Sequence, residues 1–233
     1  MLVYPDLVLR FRRVLPCFLL VALCVPDAAR ARIGDTPEQM NGRMLQPGLG
    51  RVFTWPRNLA PRELERLERD DPLKPFEHLL PSQAEGWDED IFWKSAVRGH
   101  LDNEDGWRVH VHYLKGRSVL ELYRRVGPGL TEAELNAILA LMRGNQTWRR
   151  VPREQNERAE AEDSVLGYEY ELGSGPEVTL RARRQGNWLI IYHKRLDELL
   201  LARKAQWDAA EAQRRAERTA EQERLAPSSI DGF

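Results

Sequence analysis

Apolar and polar residues alternate most cleanly between Trp107 and Arg125. Trp107, Val109, Val111 and Tyr113 take every second place, with Arg108, His110 and His112 between them. That is the period of two of a half-buried strand. Lys115-Gly116 then supplies a two-residue turn in which glycine tolerates positive φ, and Ser118–Val126 returns. Counting outward from the turn pairs Val111 with Leu120 and Val109 with Leu122 on a core face, and sets His110 opposite Glu121 on a face for water. Ile91–Val97 reads as the strand before this hairpin, which makes a three-stranded antiparallel meander. Leu166–Leu172, Glu177–Arg184 and Trp188–His193 predict a second, with turns at Gly173–Pro176 and Gln185-Gly186. The latter turn pairs Leu180 with Ile191 and Ala182 with Leu189.

A helical period precedes each meander. Thr36-Pro37-Glu38-Gln39 carries a cap, a first-turn proline and the closing residue of a capping box, and Pro47-Gly48 stops that helix. Thr131 and Glu134 form a second box, with Leu130 placed to staple against Leu135. Leu135, Ile138, Leu139 and Met142 then fall on one stripe, and Gly144 ends it. From Lys194 the helical period runs to about Leu225. Leu196, Leu199, Leu200, Arg203 and Trp207 make its first stripe, and beyond Trp207 that side holds alanines amid Glu and Arg. This predicts a helix docked at its start and projecting, coiled-coil-like, at its end.

These elements give an α+β protein: two antiparallel three-stranded meanders, each preceded by a helix, plus a long charged C-terminal helix. The boundaries read as a leader at 1–31, a first unit at 32–126 with an irregular insert at 47–90, a second unit at 127–193, and the helix and tail at 194–233. The insert holds six prolines and a short charged helix at Pro61–Asp70, and its Trp55 and Trp87 belong to neither sheet. Arg153–Asp163 is too polar to order itself. TPEQMN at Thr36 and TEAELN at Thr131 open the two units alike, the mark of a repeat or of convergent capping chemistry.

Composition narrows the compartment. Arg10, Arg12 and Arg13 precede the apolar run Val14–Val25, Pro26 breaks it, and Ala29-Arg30-Ala31 fits a signal-cleavage pattern. The run is shorter than the roughly 20 apolar residues that span a bilayer, so the expectation is a cleaved signal, a periplasmic or secreted protein, and no transmembrane segment in the mature chain. Both cysteines, Cys17 and Cys24, fall within the leader, so the mature fold relies on its core rather than on disulfides. The net charge of −1 lacks the basic footprint of a nucleic-acid protein.

Candidate chemistry is sparse. His110 and His112, at i and i+2 on a strand, point one way and can chelate a metal, with Glu121 opposite as a third ligand. The competing reading is a solvated face on which His110 pairs with Glu121. It is preferred because nothing in the sequence supplies a fourth ligand or a second shell. His78, His100 and His193 stand alone, and Ser174 between two glycines is a turn rather than a nucleophile elbow. No phosphate loop, dinucleotide fingerprint or zinc spacing occurs. No catalytic residue, cofactor or metal is therefore assigned. Of the seven tryptophans, Trp107, Trp148 and Trp188 belong in a core, which leaves Trp55 and Trp87 as candidate anchors for a protein partner.

Ile33-Gly34-Asp35-Thr36-Pro37-Glu38-Gln39 resembles the helix opening of the SmpA/OmlA family, small envelope lipoproteins of the outer-membrane β-barrel assembly machinery. The repeats of β-lactamase inhibitor protein start similarly. The lipid-anchor cysteine of the first and the disulfides of the second are missing. The chain also resembles a group of uncharacterised secreted bacterial proteins through Ile33–Thr36, Gly106–Val109 with Lys115-Gly116, and Leu130–Glu134 with Trp148. The resemblances imply a helix-then-meander unit and an envelope setting, and bring no activity. The sequence thus reads as an exported, non-enzymatic module that binds another envelope protein; the alternative is a small-molecule or metal-binding protein, or an unrecognised hydrolase.

Overall fold

The computed structural model describes residues 33–45, 52–54, 70–95, 106–127, 129–152, 154 and 163–225. The leader, Trp55, His100, most of the helix read at Pro61–Asp70 and most of the charged run after Arg153 lie outside the described residues. The described strands are β1 (Val52–Thr54), β2 (Trp87–Ser95), β3 (Gly106–Leu114), β4 (Arg117–Val126), β5 (Trp148–Arg150), β6 (Tyr170–Leu172), β7 (Leu180–Gln185) and β8 (Trp188–His193). They form one antiparallel sheet in the order β1-β2-β3-β4-β8-β7-β6-β5. Three helices accompany it: α1 (Pro37–Met44), α2 (Glu132–Met142) and α3 (Lys194–Leu225). The class is α+β. The strand pattern missed the short outer strands β1 and β5, and it began β2 at Ile91 although Trp87, Glu89, Ile91 and Trp93 already alternate.

The β3–β4 turn forms as its sequence dictates, with Lys115 at φ 53 and Gly116 at φ 73, both left-handed as a type I′ turn requires. The expected register is overturned. Tyr113 pairs with Ser118, but the next pair is His112 with Leu120, so Val119 is an extra residue in a β-bulge. A one-residue slip turns over every side chain beyond it. Val111 therefore faces Glu121 and His110 faces Leu122. In the β7–β8 hairpin the turn is Gly186-Asn187, with Gln185 paired to Trp188, Ala182 to Ile191 and Leu180 to His193. That correction is a shift of two, so the faces keep their expected sides.

The bulge has a large consequence: each face of the sheet receives its own apolar set. On the first face Val109, Val111, Tyr113, Tyr123, Leu189 and Ile191 pack with Met40 of α1 and with Leu135, Leu139 and Met142 of α2. Both helices start at complete capping boxes, Thr36 with Gln39 and Thr131 with Glu134. On the second face Leu120, Leu122, Ile190 and Tyr192 pack with Leu196 and Leu200 of α3, with Leu166 and Tyr168, and with Leu73 and Leu79 from the insert. The face expected to meet water is a second core.

One buried ion pair fastens α3 to that core. Asp197 is fully buried; its Oδ2 accepts from Arg181 Nη1 at 2.7 Å, and its Oδ1 accepts from the amides of Val165 and Leu166 at 2.9 and 3.4 Å. Past Arg203 the helix is exposed almost throughout, with Trp207 still 42% accessible. Among the described residues no helix is long and apolar enough to cross a membrane.

Candidate ligand-binding cleft

Two walls make the cleft. The floor is the second sheet face at β2 and β3, where Glu89 lies directly across from His112 and Ile91 across from His110. Period-two geometry therefore sends Trp87, Glu89, Ile91, His110 and His112 to the same side. The roof is the segment from Asp71 to Pro81. Its Asp71 carboxylate accepts the Leu73 amide at 2.8 Å, a 3-10 turn runs over Lys74–Leu79, and Ser82 and Glu85 cap the next turn. Gly86, at φ 86, then swings the chain into β2. Residue 86 needs glycine twice over, since a Cβ there would also meet the Lys115 backbone at 3.2 Å.

Helix α3 holds the roof down. Leu73 and Leu79 pack with Leu196 and Leu200. Arg203 donates from Nη1 to the Leu80 carbonyl at 3.1 Å and pairs through Nη2 with Glu85. The rings of His78 and Trp207 lie 4.8 Å apart. Between roof and floor remains a cavity of about 390 Å³, in the range of small-ligand sites. Leu73, Leu80, Pro81, Trp87 and Ile91 give it apolar walls, and Asp71, Glu89, His110 and His112 give it polar ones.

The polar groups converge. Glu89 Oε1 stands 2.6 Å from His110 Nδ1 and 3.6 Å from His112 Nε2. The ligand atoms of the three side chains lie within 4.8 Å of one another. His110 is 3% exposed and His112 5%. Among the described residues His110 Nε2 and both ring nitrogens of His112 have no hydrogen-bond partner. A buried polar atom left so costs about 1–3 kcal/mol, and native folds carry few of them. Aromatic contacts also hold the rings: Trp87 stacks 5.2 Å from His112 at 20°, and Trp188 meets His110 edge-on at 5.4 Å. Trp188 is itself flanked by Arg108 and Arg124.

Protonation follows from these surroundings. Burial would raise the Glu89 carboxyl, but the His112 ring, the His110 hydrogen bond and the Arg108 charge together hold it down to about 2. Burial lowers the His112 pKa, only partly countered by Glu89 and Asp71. At neutral pH the site thus combines an ionised carboxylate with an imidazole that resists protonation.

The sequence-level candidates divide accordingly. His110 and His112 do share one side, as their spacing requires. Glu121 is corrected as their third ligand: the bulge turns it to the opposite face, where it is fully buried, accepts the Tyr123 hydroxyl and lies 3.6 Å from Arg43 of α1. Glu89 occupies the place foreseen for it. Trp87 lines the cleft against His112, and Trp55 is outside the described residues. Ser174 precedes a 3-10 turn, and His193 Nδ1 accepts the Arg195 amide at 3.1 Å. Glu89 was missed because Asp88-Glu89-Asp90 looks like a polar loop; the flanking Trp87, Ile91 and Trp93 carried the strand signal. No protein family, curated protein or solved structure matches the chain.

Proposed function

We propose that this is an exported binding protein that holds a small ligand in the cleft between the insert and the second sheet face. Three buried imidazole nitrogens without a hydrogen bond, on two side chains that line a preformed cavity, carry the reading. A cavity needed only for packing would be lined by apolar atoms or by polar atoms that satisfy one another. Export is supported by Arg10–Arg13, the apolar run after them and the Ala29–Ala31 pattern. Native mass spectrometry of the protein as recovered from the envelope of a producing cell tests the proposal. The expected result is a bound mass lost on denaturation and absent when Ile91→Trp fills the cleft. A wild-type mass equal to that of the bare polypeptide, at every stage of purification, would sink it.

A second reading, docking of another envelope protein, draws on α3, which is exposed almost throughout past Arg203 and leaves Trp207 half-open. Deleting residues 208–233 separates the two. The cleft reading expects ligand binding to survive; the docking reading expects loss of function with the cleft still occupied.

A further inference from the structure

We infer that Glu89, His110 and His112 form a binding site for a divalent late-transition metal ion, with its open coordination positions facing the cleft. The inference rests on the cleft being the ligand site and names the ligand's chemistry. Two adjacent strands supply the donors: His110 and His112 two residues apart on β3, and Glu89 across from His112 on β2. Donors around a tetrahedral ion with bonds of about 2.0–2.1 Å stand roughly 3.3 Å apart. The ligand atoms of the three side chains already lie within 4.8 Å of one another.

The independent observation is the state of the histidines. Both rings are more than nine-tenths buried, and neither ring nitrogen of His112 makes a hydrogen bond among the described residues. A neutral imidazole carries one N–H and one lone pair. On His110, donation from Nδ1 to Glu89 leaves the Nε2 lone pair as the orphan. A lone pair with no proton donor in reach, beside a carboxylate, is what a cation accepts.

The donor set selects the ion. Two imidazoles and one carboxylate suit Zn²⁺, Co²⁺, Ni²⁺ or Fe²⁺, whereas Ca²⁺ and Mg²⁺ require shells built mainly of oxygen. Three protein ligands leave the ion unsaturated, as in sites where water or a ligand completes the shell. All three donors line the cavity, and Asp71 lines it with them. Trp87 stacked on one ring and Trp188 set against the other fix the ligand orientation in the way outer-shell groups do.

The test uses tag-free full chain, titrated with Zn²⁺ and separately with Co²⁺ after chelator treatment. One ion per chain is expected, with the visible absorption of a low-coordinate Co²⁺ centre and a Zn²⁺-dependent rise in Tm. His112→Phe keeps the stacking on Trp87 and removes the donor. It and Glu89→Gln are expected to lower Zn²⁺ affinity by about 100-fold or more, beyond the roughly 10–100-fold lost with an outer-shell partner. Thermal melts of the metal-free variants establish that they fold. Wild-type protein that takes up neither ion, or a folded His112→Phe that binds as tightly as wild type, overturns the inference. An organic ligand that stays in the cleft through chelation overturns the metal while leaving the cleft reading intact. A cleft empty by native mass and by titration overturns both.

Discussion

The two faces of the sheet are built from the same strands and end differently. On the first, α1 and α2 lay apolar stripes over β3, β4 and β8, and the one carboxylate driven to the centre, Glu121, is met by Tyr123 and Arg43. On the second, α3 covers β4 and β8 as closely, but β2 and β3 are covered by a proline-bearing loop that leaves a cavity. Under that loop His110 is met only at Nδ1, by Glu89, and His112 makes no hydrogen bond among the described residues. Arg43 Nε on the first face also lacks a hydrogen bond, but that guanidinium is held by Asp35 and does not line the cleft. Three imidazole nitrogens left without a hydrogen bond mark the place where stability is not the whole explanation.

The most forceful way to break this comparison is to put a charge at the centre of each face. Val111 and Leu122 are both fully buried, one on each side. Val111→Asp and Leu122→Asp are each expected to cost more than about 4 kcal/mol in urea unfolding, since each buries an unpaired carboxylate. A mild Leu122→Asp would contradict the second core.

The anchoring of the second face comes next. Asp197→Ala leaves Arg181 buried without its partner and strands the amides of Val165 and Leu166. A loss of about 3–5 kcal/mol is expected, to be measured by chemical denaturation. Replacing Arg181 and Asp197 together with Met and Leu is expected to cost less than Asp197→Ala alone.

Smaller effects sharpen the contrast between structural and unmet polar groups. His112→Phe is expected to change stability by no more than about 1 kcal/mol, and in the stabilising direction, because it replaces orphaned polar atoms with a ring of similar size. Glu121→Leu, which takes the acceptor from the buried Tyr123 hydroxyl and the carboxylate from beside Arg43, is expected to cost several times that in the same melts. The smallest effect belongs to the helix tail. The described residues past Trp207 bury almost nothing, so a chain ending at Trp207 is expected to lose less than about 0.5 kcal/mol.

Much of the fold could be read from residues alone, because local chemistry carried it. Both capping boxes, the Lys115-Gly116 turn and the extent of α3 follow from short-range rules. The site could not be read so directly, and Val119 is the reason. A bulge leaves no mark in the alternation of Leu120, Glu121 and Leu122, yet it decides which of them share a side with the histidines. Glu89 was hidden for a different reason: its strand looks acidic and loop-like until the aromatic residues on either side are counted. The roof from Asp71 to Pro81 is set by its docking on α3, a contact between segments more than a hundred residues apart.

The most direct measurement reads the five histidines themselves. A long-range ¹H–¹⁵N spectrum of the imidazole nitrogens, recorded as Zn²⁺ is added to tag-free protein, follows each ring separately. The account predicts that the nitrogens of His110 and His112 shift together and saturate at one equivalent, while those of His78, His100 and His193 stay in place. Shifts confined to His78, His100 or His193, or an unchanged spectrum at saturating Zn²⁺, would contradict it.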